Sequence, residues 1–556
     1  MKKASSVVAG LLLAATAIVP AAKAAVTIEI NAVGASASWT TAAIGVYNQL
    51  AGTGAGHYTV KGTCPSGNCA QVHDVRSTSI PPDGGSLWVV WNSAETEVWA
   101  YLSVDAIVGI RAFMANPIAQ LQIDPSTETT EAGQNLIATT LWGADATYLP
   151  AAIYTALNNA NFTAAFSGLR PEDAKFIAAR VLAPLNTTNY NGLGYGTGAA
   201  TLVGTEILSS FSSSTANPEA FNIKGTDPFS GLAIKAWTTV DVGAQATVFV
   251  TNRTDANGLG YGGGIPVFTD ISNSVAQTIF EGQECDGNAF AADPYITGSL
   301  PANFPITAIL TEPLGANANV PEFTIFRCGK STGGCPITGS TEDDSQEEGV
   351  NPALPNNNPL NLPCANPTGL PVPGTRRRAI GVSEDVSSGI AKVADSISYV
   401  SFSYGNLSKI AGSASYGYLT RNGVDPIQAS YTNGEIPACA SPCPVTPGTS
   451  FPNLRNGTYL DWTIVMVVTN SSGVNLTKAK VVVTAIQDNL NTQVPDMVPF
   501  VAVGGDPGLT LYRSHYTQAG YAPSNGLGTT KESGGDVGGC VETRTSTPPG
   551  ILNCHQ

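Results

Sequence analysis

Residues 26–39 read VTIEINAVGASASW, and this stretch decides the fold. Val26 to Val33 alternates in the period-two pattern of a strand. The small residues Gly34 to Ser38 then make a tight loop, after which Ala43, Tyr47, Leu50 and Ala51 recur at helical spacing. Ser38 or Thr40 can cap that helix and Gly52 can close it. A strand, small-residue loop and helix start presents unpaired N–H groups and the positive end of a helix dipole, which suits an anionic or oxygen-rich ligand. The same junction is also the ordinary turn of any α/β chain.

The pattern recurs further along. FTAAFSG (162–168) approaches a helix that starts at RPEDA (170–174), with Pro171 in its first turn and Glu172 and Asp173 at the positive end. Ala174, Ile177, Ala178 and Val181 form its stripe. FTDISNSVAQTIFEG (268–282) is a third case, with Asp270 as cap, Ile271, Val275, Ile279 and Phe280 facing inward and Gly282 at the end. The runs LWVVWNS (87–93) and EVWAYLSVDAIVGI (97–110) predict strands, with Trp88 and Trp91 as packing residues. Alternating strands and helices make the class α/β.

Composition narrows the function. The 556 residues carry 41 acidic and 26 basic side chains, a formal charge of −15 that disfavours nucleic acid and anionic membrane surfaces as partners. Only 12% of residues are charged against 43% hydrophobic, with 59 glycines, the profile of a large, loop-rich globular protein. At its start, Lys2 and Lys3, the apolar stretch Val7 to Val19 and Ala22-Lys23-Ala24 predict a cleaved signal peptide over 1–24 and no membrane insertion afterwards. The expected location is therefore periplasmic or extracellular. Ten cysteines in an exported chain predict disulfides. Cys64 with Cys69, Cys328 with Cys335, Cys439 with Cys443 and Cys540 with Cys554 close short loops, leaving Cys285 and Cys364 to pair at long range. No CxxC occurs and the four histidines are scattered, so neither a metal site nor a cofactor is expected.

Motifs for catalysis are weak. GKSTG (329–333) matches GxSxG, but no helix pattern follows it and it sits between Cys328 and Cys335. TEDDSQEEG (341–349) lacks the spacing of a calcium loop and reads as a solvated acidic loop, and Arg376 to Arg378 as a surface run balancing it. NGLGYG (191–196 and 257–262) and NGLG (525–528) read as loop tips. Residues 351–374, dense in proline and asparagine, read as an irregular loop. No catalytic residue is expected, and the chain is read as a non-enzyme.

Taken in order, the segments resemble the phosphate-binding proteins of ABC-type transporters, within the type II periplasmic binding-protein superfamily. GASASW stands where that family has GAGATFP, AFSGLRPED (165–173) where it has a GASD-type segment, and TVFVTN (247–252) where it crosses between domains. IFEG (279–282), ITAIL-TEPLGAN (306–317), SISYVSFSYGN (396–406) and YLDWTIVMVVTN (459–470) follow in family order. The resemblance covers about two thirds of the chain, and residues 55–160 have no counterpart. It implies a two-lobed fold with large insertions. Lobe 1 would be 25–245 and 405–505, lobe 2 would be 246–404, and 506–556 would be a glycine-rich tail.

The resemblance places ligand contacts at Ser38, Trp39, Ser167, Gly168, Thr311, Gly315, Ala316 and Asn317. Its aspartate falls at Gly168, its arginine at Thr311 and its Ser-Gly-Thr at Gly315, Ala316 and Asn317. An alternative alignment puts Arg327 and Ser331 on the arginine and first serine. Charge-assisted bonds dominate anion recognition, so loss of the arginine removes about 1.5 to 3 kcal/mol of phosphate binding. The expected function is an exported binding protein for a small polar or anionic solute, with an ABC-type permease as the implied partner. The alternative is a secreted structural or adhesive protein that keeps the fold without a small ligand.

Overall fold

The 26–39 stretch folds as its alternation dictates. In the computed structural model strand β1 (Thr27–Gly34) leads through a 3-10 turn (Ser36–Ser38) into helix α1 (Trp39–Gln49). The structure describes residues 25–182, 221–254, 269–296, 304–311, 315–321, 362–378, 389–427 and 444–513, less scattered positions, and a few short pieces beyond. The signal segment, GKSTG, the 341–349 acidic run, the NGLG repeats and the alternative pair Arg327 and Ser331 lie outside the described residues.

Ala32 and Val33 point to opposite sides of β1 and enter two separate apolar clusters. Full burial of side chains such as Ile30 and Val33 stabilises the fold by about 1.5 to 3 kcal/mol each. Gly34 closes the strand at φ 133°, and a Cβ there would run into the carbonyl of Phe166 on the neighbouring strand. A Cβ on Gly109, in the helix behind, would in turn meet the backbone of Gly34. The two glycines let a strand, its neighbour and a helix meet at backbone distance.

β1 belongs to a mixed sheet of thirteen strands. The others are β2 (Gly56–Val60), β3 (Ser86–Trp91), β4 (Glu97–Ser103), β5 (Ala164–Ser167), β6 (Trp237–Asn252), β7 (Thr307–Leu310), β8 (Leu362–Pro363), β9 (Thr375–Arg378), β10 (Ser396–Ser401), β11 (Tyr416–Tyr418), β12 (Trp462–Asn470) and β13 (Val498–Pro499). Their order is β8-β9-β7-β10-β6-β12-β5-β1-β4-β3-β2, with β11 and β13 also paired to β6. β1 and β5 run parallel, as do β7 and β10, and each pair is joined to its half of the sheet through the antiparallel strands β6 and β12. Apolar clusters cover both faces of both halves: Val248 and Val250 enter one, Phe249 another. The chain is α/β, with two half-sheets that share β6.

Sequence expectation and structure part company in places. VDAIVGI does not continue β4: Ala106–Met114 is helix α2, every residue of it buried. A helix enclosed on all sides shows no polar stripe, so its β-branched run reads as a strand. Asp270 does not cap the helix that follows it. It lies in a short strand (Asp270–Ile271), its carboxylate accepting from Gly423 N at 2.7 Å and from the Thr420 hydroxyl at 2.5 Å, and α4 (Asn273–Phe280) starts after Ser272. Ser38 precedes α1 without a side-chain cap. Arg376 to Arg378 lie in β9, and Leu362–Pro363 gives the proline-rich segment a short strand.

Residues 55–160 extend the large sheet by β2, β3 and β4 and add a four-stranded sheet of Ala70–His73, Asp83–Gly84, Gln120–Ile123 and Ala160–Asn161. Buried ion pairs hold this part together: Arg76 reaches Asp74 at 2.8 Å and Arg111 bonds Asp83 within it, while Arg76 also reaches Asp227 at 2.9 Å and so ties it to the rest. Trp88 and Trp91 are packing residues, 1% and 6% exposed. Disulfides join Cys64 to Cys69 and Cys285 to Cys364, as expected, while the other six cysteines lie outside the described residues. Among the described residues no helix is long and apolar enough to cross a membrane.

Candidate functional site

The ends of the parallel strands from both halves meet over one short stretch of β6. Ser167, the last residue of β5, pairs with Met466 of β12, which lies opposite Asp241 of β6. Ser401, the last residue of β10, pairs with Thr247 of β6. Residues 243–247 of β6 therefore lie between two sets of strand ends, the place where open α/β sheets collect ligands.

Gln245 occupies the middle of that stretch and is 2% exposed. Its amide nitrogen donates to the Ala37 carbonyl at 3.2 Å and to the Phe402 carbonyl at 2.9 Å, joining the loop after β1 to the end of β10. Its register partner on β12 is Thr463, whose hydroxyl donates to the Gly168 carbonyl at 2.6 Å. One cross-strand pair thus holds three of the converging loops.

The residues expected to touch a ligand take different places around this pair. The Ser38 hydroxyl is buried beside that of Tyr101, which donates to the Ala35 carbonyl; burial holds the Tyr101 phenol far above its ordinary range, so it stays a neutral donor. Trp39 faces the core, its ring N–H on the Tyr101 carbonyl at 3.2 Å while its own carbonyl accepts from Trp88 at 2.9 Å. The Ser167 hydroxyl accepts from Leu169 N at 2.9 Å and shapes the turn into α3 (Pro171–Leu182). Thr311 is buried at the end of β7, and Gly315, Ala316 and half-buried Asn317 open the six-residue helix α5 (Ala316–Pro321). A Cβ on Gly168 would lie 2.9 Å from the Cβ of Ala316 and 3.1 Å from a methyl of Thr463. The positions aligned with the family's aspartate and Ser-Gly-Thr thus face each other, but as glycine against alanine.

A third group was invisible in the sequence. Asp496 is fully buried and accepts from the Thr41 hydroxyl in the first turn of α1, from Ser403 Oγ at 3.3 Å and from Tyr404 N at 2.8 Å, where α6 (Tyr404–Leu407) begins. Burial pushes its carboxyl up to about 7 against three hydrogen bonds that favour the charged form. Neither Gln245 nor Asp496 stands in a motif, because their partners come from residues 92 to 455 positions away in the chain.

Ligand atoms of Cys64, Cys69 and Glu131 also come within reach of one another, but the two sulfurs are spent on their disulfide and offer no thiolate to a metal.

No protein-family model matches the chain, and no curated protein does. Solved structures do. One is a putative phosphate ABC transporter substrate-binding protein with bound phosphate from Clostridium perfringens, 11% identical with a TM-score of 0.23 over 45% of this chain. The chain covers 65% of that protein, just under two thirds of its length. A phosphate binding protein from Stenotrophomonas maltophilia is 12% identical with a TM-score of 0.29, over 70% of this chain and 76% of its own. A DING protein is 12% identical with a TM-score of 0.30, over 82% and 85%. None of these likenesses bears on what the chain binds.

Proposed function

We propose that the chain is an exported solute-binding protein that holds a small polar solute where the strand ends of its two halves meet. The observation that carries this reading is Gln245, a buried side chain that bridges the loop after β1 and the end of β10 from the strand the two halves share. Around it stand Ser38, Ser167, Thr311, Thr463 and Asp496, all buried, polar and without a positive charge. That set favours a neutral solute rich in hydroxyl or amide groups over phosphate, because an oxyanion draws its affinity from charge-assisted donors. Delivery to an ABC-type permease follows from the family resemblance and is part of the proposal.

The contact between Gly168 and Ala316 favours a second reading. Ala316 and Val320 of α5 join the same apolar cluster as Leu169 and Met466, so the halves already close on each other by packing. A structural or adhesive protein would keep such a closure for good.

A thermal-shift screen of the oxidised chain against sugars, amino acids, phosphate and sulfate separates the two. A solute at about 100 times its Kd stabilises by about 2.7 kcal/mol. Stabilisation by a neutral solute that Gln245→Ala abolishes supports binding at the strand ends, and no response to any solute moves the protein to the structural reading.

A further inference from the structure

Asp496 sits where three parts of the chain come together. Its Oδ2 takes the Thr41 hydroxyl from α1 and the Ser403 hydroxyl from the turn after β10, and its Oδ1 takes the Tyr404 amide. A Cβ on Gly405 would collide with the hydroxyl of Thr40, so the backbone at the start of α6 packs directly against the Thr40 side chain at the start of α1. Asp496 itself lies in the segment that leads from α7 (Val474–Leu490) to β13. All its bonds are made to neutral donors.

The surroundings bring no compensating charge among the described residues. α1 carries no charged residue at all. The turn after β10 brings Tyr404, whose phenol is raised by burial and by the Asp496 charge and stays neutral. On α7, Lys478 is engaged by Glu29 and the Ile28 carbonyl, and Lys480 and Asp488 are exposed. A carboxylate buried without a cation holds its proton well into the neutral range. The neutral acid keeps all three contacts, because a hydroxyl of Thr41 or Ser403 can turn to accept the proton. The ionised form accepts the same bonds but sets a charge with no cation beside it in the interior, a cost that parting of the contact relieves.

We propose that Asp496 is a proton-operated clasp between α1 and the turn after β10: protonated, it ties the two helix starts together, and ionised, it loosens them. The clasp stands on these contacts alone and does not depend on the solute-binding reading. If that reading also holds, the clasp sets how readily the strand-end site opens as pH rises.

The test is amide hydrogen exchange of the full oxidised chain at pH 6 and pH 8, corrected for intrinsic exchange rates, with Asp496→Asn and Asp496→Ala alongside. In the wild type, protection of residues 39–45 and 402–407 falls by roughly tenfold between the two pH values, while the four-stranded sheet of the insertion is unaffected. Asp496→Asn, which mimics the neutral acid, keeps the protection of pH 6 at both pH values. Asp496→Ala lowers it at both. Equal protection of the wild type at pH 6 and pH 8, or the same fall in Asp496→Asn, would overturn the proposal.

Discussion

Gly168 and Ala316 meet across the junction of the two half-sheets, the Cβ of Ala316 lying 2.9 Å from where a side chain on Gly168 would begin. The space that a ligand-binding carboxylate would need at Gly168 is filled by a methyl group from the other half.

Gly168→Asp therefore destabilises the protein. The new side chain has to displace α5, at a cost of about 1 to 3 kcal/mol, typical of overpacking. Urea unfolding of Gly168→Asp and of Gly168→Asp with Ala316→Gly checks this. The second change should recover part of the loss, and an unaltered midpoint in the single variant would show that the halves do not pack there.

Gln245→Ala removes one donor from two buried carbonyls, those of Ala37 and Phe402. Leaving them unpaired costs about 1 to 3 kcal/mol. Gln245→Glu costs more, since it sets a carboxylate against the same two oxygens. If both variants melt like the wild type, Gln245 does not hold the loops.

Asp270 gives a pH prediction of known sign. Burial pushes its carboxyl up to about 6, above the ordinary aspartate value of 3.8 that it regains on unfolding. The native state then holds a proton that the unfolded chain has lost, so this group's contribution to stability is full below about pH 4 and declines as pH rises to about 6. The slope is at most about 1.4 kcal/mol per pH unit. Asp270→Asn should flatten the stability curve between pH 4 and 6, and a curve parallel to the wild type would refute the assignment.

Of the two described disulfides, Cys285 to Cys364 spans 79 positions and Cys64 to Cys69 only 5. Loop-closure entropy grows with the length closed, so Cys285→Ala with Cys364→Ala costs about 2 to 5 kcal/mol and the short bridge clearly less. Chemical unfolding of the two double variants gives the ranking directly, and a larger loss from the short bridge would contradict it.

What the sequence made legible was the local grammar of strand, small loop and helix. β1 with α1 and β5 with α3 were each readable, because a short apolar run ended by Gly or Ser and followed by a helical stripe leaves few other options. α2 escaped notice because burial on every side erases its period. α7 also went unread, its Val481-Val482-Val483 run resembling a strand. The expected ligand positions were read as one set, yet Trp39 faces the core and Ser167 is spent on its own turn. Gln245, Thr463 and Asp496 could not have been found, since each acts through partners that only the sheet topology brings near.

The strand β6 runs unbroken for 16 residues through both halves, and β12 is bonded to its first half. Two half-sheets joined this way cannot swing as separate bodies on a soft linker: any relative movement has to twist a hydrogen-bonded ribbon. The ladder between these strands slips register between Asp241 and Gly243, next to the strand ends that meet over residues 243–247. Compliance is greatest where a ladder is already interrupted, so any twist between the halves is taken up first at the bulge.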